Sequence, residues 1–265
     1  MRLARILDKN NQVVYAAEQK DGRLLKIEGD ISGGESRITD EAVEPSRWLP
    51  PLDPTAILCI GLNYRKHAEE GGVPVPEYPV LFMKNPATAT GHREPIELPA
   101  VCTDEVDYEA ELAVVIGKPA CNVSKKDALD CVLGYMCSND VSARIWQSKL
   151  GGSQWCRGKS FNTFAPLGPL LVTRDELPNP NALAIKSILN GETMQSSNTK
   201  DMIFDVPTLI SFLSEDTTLL PGTVILTGTP EGVGWARNPK VVLKPGDTIA
   251  VEIEGLGRLE NPVTA

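Results

Sequence analysis

Two glutamates, Glu109 and Glu111, stand in the run Asp104-Glu105-Val106-Asp107-Tyr108-Glu109-Ala110-Glu111-Leu112. A strand sends residues i and i+2 to the same face, so both carboxylates project together. A third carboxylate, Asp140, follows the apolar run Val132 to Met136, at the C-terminal end of a predicted strand. Three carboxylates make an all-oxygen pocket that suits a hard divalent cation, Mg²⁺ or Mn²⁺ before Zn²⁺. The alternation of acidic positions 105, 107, 109 and 111 also fits an amphipathic strand with one solvated face. Against that, Leu112-Ala113-Val114-Val115-Ile116 is apolar on both faces and enters a core. A lone carboxylate at that entrance is costly, and a metal removes the cost. Asp140 taken alone also fits an Asx turn.

His67 and Glu70 are three apart on a short helix predicted from Tyr64 to Glu70, with Asn63 as its cap and Gly71-Gly72 as its stop. A carboxylate beside an imidazole raises its basicity and fixes its tautomer, which suits a general base. The glycine pair and the Pro-rich loop behind it (Pro74, Pro76, Pro79) suit a lid. The bland alternative is a surface pair. Arg157-Gly158-Lys159-Ser160-Phe161 approaches a phosphate-binding loop, but the first glycine of that motif is Ser153 here, and the reading fails. Lys159 then reads as a cation for a substrate carboxylate, or as an ordinary surface lysine. In Leu226-Thr227-Gly228-Thr229-Pro230-Glu231-Gly232-Val233-Gly234 a strand ends in a Gly-rich turn. Such a turn presents backbone N–H groups and Thr229 to an anionic oxygen, or is simply structural. It lacks dinucleotide spacing.

The elements that position these residues are mostly strands. Residues 1 to about 48 read as short strands with turns at Asn10-Asn11 and Asp21-Gly22. The prolines of Leu49-Pro50-Pro51-Leu52-Asp53-Pro54 mark a boundary between a small N-terminal β-rich domain, 1–53, and a catalytic domain, 54–265. Ser124-Lys125-Lys126-Asp127 resembles a capping box opening a helix to about Leu133. Asn190-Gly191 predicts a hairpin, and Asp205-Val206-Pro207 opens a helix through Leu213. Strands resume at Val224–Leu226 and at Thr248–Ile253. The expected class is α+β, on a rolled, mostly β core.

A net charge of −9 argues against a nucleic-acid backbone as partner. No stretch approaches the roughly eighteen apolar residues of a membrane span. Met1-Arg2-Leu3-Ala4-Arg5-Ile6-Leu7-Asp8 lacks a signal-peptide core. Six cysteines without a Cys-x-x-Cys pair read as reduced thiols, in the cytoplasm or the mitochondrial matrix. With only His67 and His92, a three-histidine metal site is excluded.

The order of motifs is more specific than any one of them. Gly61-Leu62-Asn63-Tyr64-x-x-His67-x-x-Glu70 is followed by Phe82-Met83-Lys84, then Asp107-Tyr108-Glu109-Ala110-Glu111-Leu112. Next come Gly134-Tyr135, Asn139-Asp140-Val141-Ser142-Ala143-Arg144, Gly158-Lys159-Ser160-Phe161 and Asn190-Gly191-Glu192 with Gln195-Ser196-Ser197-Asn198-Thr199. Thr227-Gly228-Thr229-Pro230-x-Gly232-Val233-Gly234 and Leu243-Lys244-Pro245-Gly246-Asp247 close the series. Over about residues 55 to 263 this resembles the fumarylacetoacetate hydrolase family, in its short two-part members. The resemblance implies a mixed β-roll, usually a homodimer, with Mg²⁺ or Mn²⁺ on Glu109, Glu111 and Asp140. It implies His67 and Glu70 as a water-activating dyad and Lys159 as holder of substrate or oxyanion. It implies Thr229 with Gly228 beside the substrate carboxylate, and Lys84, Arg144 and Gln147 around the substrate. Many relatives carry Asp where this chain has Ile145 and Asn162, and these departures bear on substrate identity.

The implied substrate is a small 2-oxo acid. Hydrolysis of a carbon–carbon bond in an acylpyruvate, of the fumarylpyruvate or acetylpyruvate kind, is the first expectation. The same site serves a keto–enol tautomerase or decarboxylase of oxaloacetate, or an isomerase of an unsaturated 2-oxo diacid. A non-catalytic protein binding metal and 2-oxo acid is the alternative of another class.

Overall fold

The computed structural model describes residues 1–29, 35–152 and 154–265; Ser153, on which the phosphate-loop reading fails, lies outside them. In chain order the longer strands begin β1 (Arg2–Leu7), β2 (Val13–Glu18), β3 (Leu24–Gly29), β4 (Ser36–Val43) and β5 (Ala56–Gly61). Helix α1 (Arg65–Glu70) precedes β6 (Val80–Lys84), β7 (Ala110–Ile116) and β8 (Val132–Asn139). Helix α2 (Cys156–Lys159) precedes β9 (Ala165–Thr173), β10 (Ala184–Leu189) and β11 (Glu192–Asn198). Helix α3 (Val206–Leu213) precedes β12 (Thr223–Leu226), β13 (Thr248–Ile253) and β14 (Gly257–Thr264).

One large sheet runs β4-β3-β2-β1-β9-β8-β7-β12-β5-β6. Its neighbours are antiparallel except β12 and β5. A second sheet runs β11-β10-β13-β14, with residues 96–97 alongside β14. The α+β class with a mostly β core is what the strand patterns predict. Segment 50–54 does not separate two sheets: β1 pairs with β9, Leu3 opposite Leu171, so the N-terminal strands extend the large sheet. No helix among the described residues is long and apolar enough to cross a membrane, and all six cysteines are free.

Strand β7 lies between two cores. Leu112, Val114 and Ile116 pack with Ile185, Val251 and Ile253 of the second sheet. Ala113 and Val115 face the other way, onto Met136 and Leu167. Every residue of β7 is buried. Each fully buried Val, Leu or Ile contributes roughly 1.5–3 kcal/mol, and a slip by one residue would exchange both sets. The register that aims Glu111 is therefore set by apolar packing.

Two local expectations fail for identifiable reasons. The helix expected from Ser124 is only a 3₁₀ turn, Ala128–Cys131. The Ser124 hydroxyl donates to the Asp127 carboxylate instead of accepting a backbone N–H, and the chain must already enter β8 at Val132. Asn63 does not cap α1: Tyr64 holds that position, and the Asn63 amide donates to Phe204 O and Thr227 O. The hairpin forms as expected, with Asn190 (φ 51°) and Gly191 (φ 87°) in the left-handed region. Helix α3 starts with Thr208 N–H on Asp205 Oδ1, 3.0 Å.

His92 joins the N-terminal strands to the second sheet. Its ring meets Trp48 edge-on at 5.5 Å, and its Nδ1 accepts the Glu260 N–H at 3.0 Å. Burial, then the neighbouring Arg93 charge, lowers its pKa from 6.5 to about 4. Between those values the unfolded chain binds the proton that the folded chain refuses. Stability from the neutral ring is thus full above pH 6.5 and is lost as pH falls towards 4. His92→Asn keeps an acceptor for Glu260 and removes the titration. Its melting temperature should fall less than that of the wild type across this window, and parallel curves would show that His92 is not the group responsible.

Candidate active site and metal centre

The antiparallel pairing of β7 and β8 places Ala110 opposite Asn139 and Glu111 opposite Ser138. Asp140, one residue past β8, therefore meets Glu109, one residue before β7. Two bonds lock the corner: Asp140 N–H donates to Glu109 O (2.9 Å), and Glu109 N–H to Asn139 Oδ1 (2.9 Å). Glu109, Glu111 and Asp140 are all buried, each offering an oxygen within 4.8 Å of the others.

Three cations surround them. Lys159 Nζ lies 2.8 Å from both Glu109 Oε2 and Asp140 Oδ2. Lys84 Nζ reaches Asp140 Oδ1 (2.5 Å) and Val141 O (3.0 Å). Arg144 bonds Glu109 Oε1 (2.6 Å), Asp107 Oδ2 (2.7 Å) and Gln147 Oε1 (3.0 Å). Lys159 can come this close because α2 packs tightly on the chain before it: a side-chain carbon on Gly158 would stand 2.4 Å from Gln147 N. Glu111 is different, since its only described partner is the Gly228 N–H, 2.8 Å from Oε2.

The electrostatics follow the contacts. Burial opposes ionisation of Glu109, but Lys159 and Arg144 outweigh it and hold the carboxyl at about 2. Burial, then Asp140 and Glu109, push Glu111 well above the usual carboxylate range. Burial works against the Lys159 charge, yet Asp140 and Glu109 hold the ammonium above the ordinary lysine value. In Lys84 burial wins over Asp140 and the pKa falls.

A cavity of about 160 Å³ opens above the cluster. Glu109, Glu111, Arg144, Gln147, Lys159 and Thr229 form its polar lining, and His67 also faces it. His67 Nδ1 is 3.1 Å from Glu70 Oε2, while Glu70 Oε1 accepts the Gly232 N–H at 2.9 Å. Burial raises the Glu70 carboxyl, but these two hydrogen bonds more than offset it and the pKa falls. The dyad thus ties the helix after β5 to the Gly-rich turn after β12.

Not every residue expected at the substrate touches the cavity. Lys84 and Gly228 do not line it; their donors go to Asp140 and Glu111. Thr229 lines it while donating its hydroxyl to Ala110 O. Ile145 and Asn162 stand outside it. Gln195 is the residue that local reasoning misses. Buried beneath the turn, it accepts the Ala110 N–H (2.9 Å) and donates to Thr229 Oγ1 and Pro230 O (both 2.8 Å). Its one signal was a place in the Gln195-Ser196-Ser197 segment after the hairpin.

The model of the fumarylacetoacetate (FAA) hydrolase C-terminal family matches residues 56–264, which contain every site residue named above. The chain belongs to the fumarylacetoacetate hydrolase family. It is 49% identical over 218 residues to the mitochondrial oxaloacetate tautomerase fahd2 of Xenopus laevis, covering 82% of this chain and 68% of that one. With the human mitochondrial oxaloacetate tautomerase FAHD2A the identity is 46% over 214 residues, 81% and 68% of the two chains. The structure of 2-hydroxyhepta-2,4-diene-1,7-dioate isomerase from Mycobacterium marinum aligns with a TM-score of 0.84 at 37% identity, over 100% of this chain and 98% of that one.

The donor set fits the family's divalent ion. Glu109, Glu111 and Asp140 each present a carboxylate oxygen within 4.8 Å of the others, a hard all-oxygen set. Because Glu111 has no cation partner among the described residues, Glu111→Gln should leave the melting temperature in EDTA unchanged or higher, while abolishing stabilisation by Mg²⁺. For the wild type that stabilisation is about 2.7 kcal/mol at a hundredfold excess over Kd. A Glu111→Gln variant still stabilised by Mg²⁺ would place the ion elsewhere.

Proposed function

We propose that this chain is a divalent-metal-dependent keto–enol tautomerase acting on oxaloacetate, with Mg²⁺ or Mn²⁺ as the ion. The carrying observation is its near-half identity to oxaloacetate tautomerases across the domain that holds the whole site. The hydrolysis expected first from the sequence gives way to this alternative. The cavity, about 160 Å³ against the roughly 300–1,000 Å³ of pockets for drug-sized ligands, is of a size for a small 2-oxo acid.

The ion, held by Glu109, Glu111 and Asp140, would supply Lewis-acid charge to the carboxylate and keto oxygen of the 2-oxo acid. The protein supplies the proton traffic. With Nδ1 on Glu70, His67 has Nε2 free to take a proton from C3 of the keto form. Glu70 stabilises the imidazolium that results. Lys159, fixed between two carboxylates, offers its remaining N–H where charge develops on the C2 oxygen. Delivery of the His67 proton to that oxygen through solvent completes the enol and regenerates the neutral imidazole, and the reverse sequence restores the ketone. Arg144 and Gln147 give the distal carboxylate a cation and an amide.

Enol-oxaloacetate should lose its ultraviolet absorbance faster with enzyme and Mg²⁺ than with enzyme and EDTA, without release of pyruvate or CO₂. His67→Ala should lower kcat by about 10²–10⁴ yet keep stabilisation by Mg²⁺. Pyruvate and a free acid from acetylpyruvate would restore the hydrolase reading, and pyruvate with CO₂ from oxaloacetate would make the chain a decarboxylase.

A further inference from the structure

The cavity has an apolar lining as well as a charged one, formed by Ile60, Gly61, Leu62, Phe82 and Trp155. Trp155 is the bulkiest of these and stands just before α2. Its ring occupies the space that a side chain at Gly61 would need: a side-chain carbon there would lie 2.2 Å from Trp155 Cζ3. The ring also packs edge-on against Phe82, centroids 5.4 Å apart. Phe82 in turn carries the Lys159 ammonium 5.1 Å from its own centroid. The pairing of Cys59 with Phe82 puts Gly61 and Phe82 on one face of the sheet, so a single indole covers both.

We infer that Trp155, seated on Gly61, is the specificity-determining wall of this cavity and restricts it to short 2-oxo diacids. The inference rests on the tautomerase reading and deepens it. Glycine at 61 and tryptophan at 155 act as one device, because filling the first position displaces the second. The wall sets length through excluded volume, whereas the charged lining recognises the 2-oxo acid end that all such substrates share. One methylene in an apolar pocket discriminates by about tenfold or more.

The test is enzyme-dependent deuterium uptake at C3, followed by NMR with Mg²⁺, for the four-, five- and six-carbon 2-oxo diacids. The wild type should favour the four-carbon acid by roughly tenfold per added methylene. Trp155→Ala should cut the preference for four carbons over six at least tenfold, with Trp155→Phe between the two. An unchanged preference in a cooperatively melting Trp155→Ala overturns the inference. If that variant does not fold, unchanged preferences in both Trp155→Phe and Gly61→Ala do so. Thermal stabilisation by malonate, succinate and glutarate in Mg²⁺ reads the wall without turnover. A length cut-off present in the wild type and relaxed in the Trp155 variant supports it even if oxaloacetate does not exchange, an outcome that would sink the tautomerase reading alone. Equal stabilisation by all three diacids in both proteins overturns it.

Discussion

Seven ionisable side chains are buried together at one end of β7 and β8, and they are tolerable only as a set. Asp107, Glu109, Glu111, Asp140, Lys84, Arg144 and Lys159 are each less than 9% exposed. Removing one partner from a buried pair costs about 3–5 kcal/mol, because the other charge is left without compensation. Lys159 bridges Glu109 and Asp140, and Arg144 bridges Glu109 and Asp107. Among the described residues Glu111 stands outside this pairing, and that imbalance makes the cluster better suited to a cation than a closed salt-bridge network would be.

The topology follows from the need to deliver these groups to one point. Lys84 comes from the last strand of the large sheet, Asp140 from the end of β8, and Lys159 from α2. Lys84 and Asp140 are 56 residues apart in the chain, and Gln195 is 85 from Ala110. None of these contacts has a local precursor. Apolar packing on both faces of β7 sets the register, and the charges are aligned by it.

What the sequence made legible was whatever has a short period. The i, i+2 spacing of Glu109 and Glu111, the i, i+3 spacing of His67 and Glu70, the Asn190-Gly191 turn and the α3 start are each written within a few residues. Asp140 was accessible as the end of a strand. Contacts over long separations were not legible. Lys84 and Gly228 carry no local mark of the carboxylates they serve, and Asn63 reads as a helix cap although its amide is committed to Phe204 and Thr227. Asp127 shows the limit of local rules: its side chain satisfies Ser124, and the backbone that a capping box would have secured turns into β8 instead.

The charged floor and the apolar wall are under different constraints. Every floor residue but Glu111 is paired with an opposite charge, so a change in one is felt by the rest, and the chemistry of the proposed reading, a polarised 2-oxo acid, is common to tautomerisation, hydrolysis and decarboxylation. The wall carries no such obligation: Trp155 meets Gly61 and Phe82 by shape alone, while His67 faces the cavity from a helix of six residues. The outcome of a shared polarised intermediate depends on whether water or a leaving carboxylate can be placed beside it, and that is decided by shape. A protein named as a tautomerase and one named as a diene-dioate isomerase are both similar to this chain. On the proposed reading, the choice among these reactions lies less in the carboxylates that first draw attention than in the side chains that close the space above them.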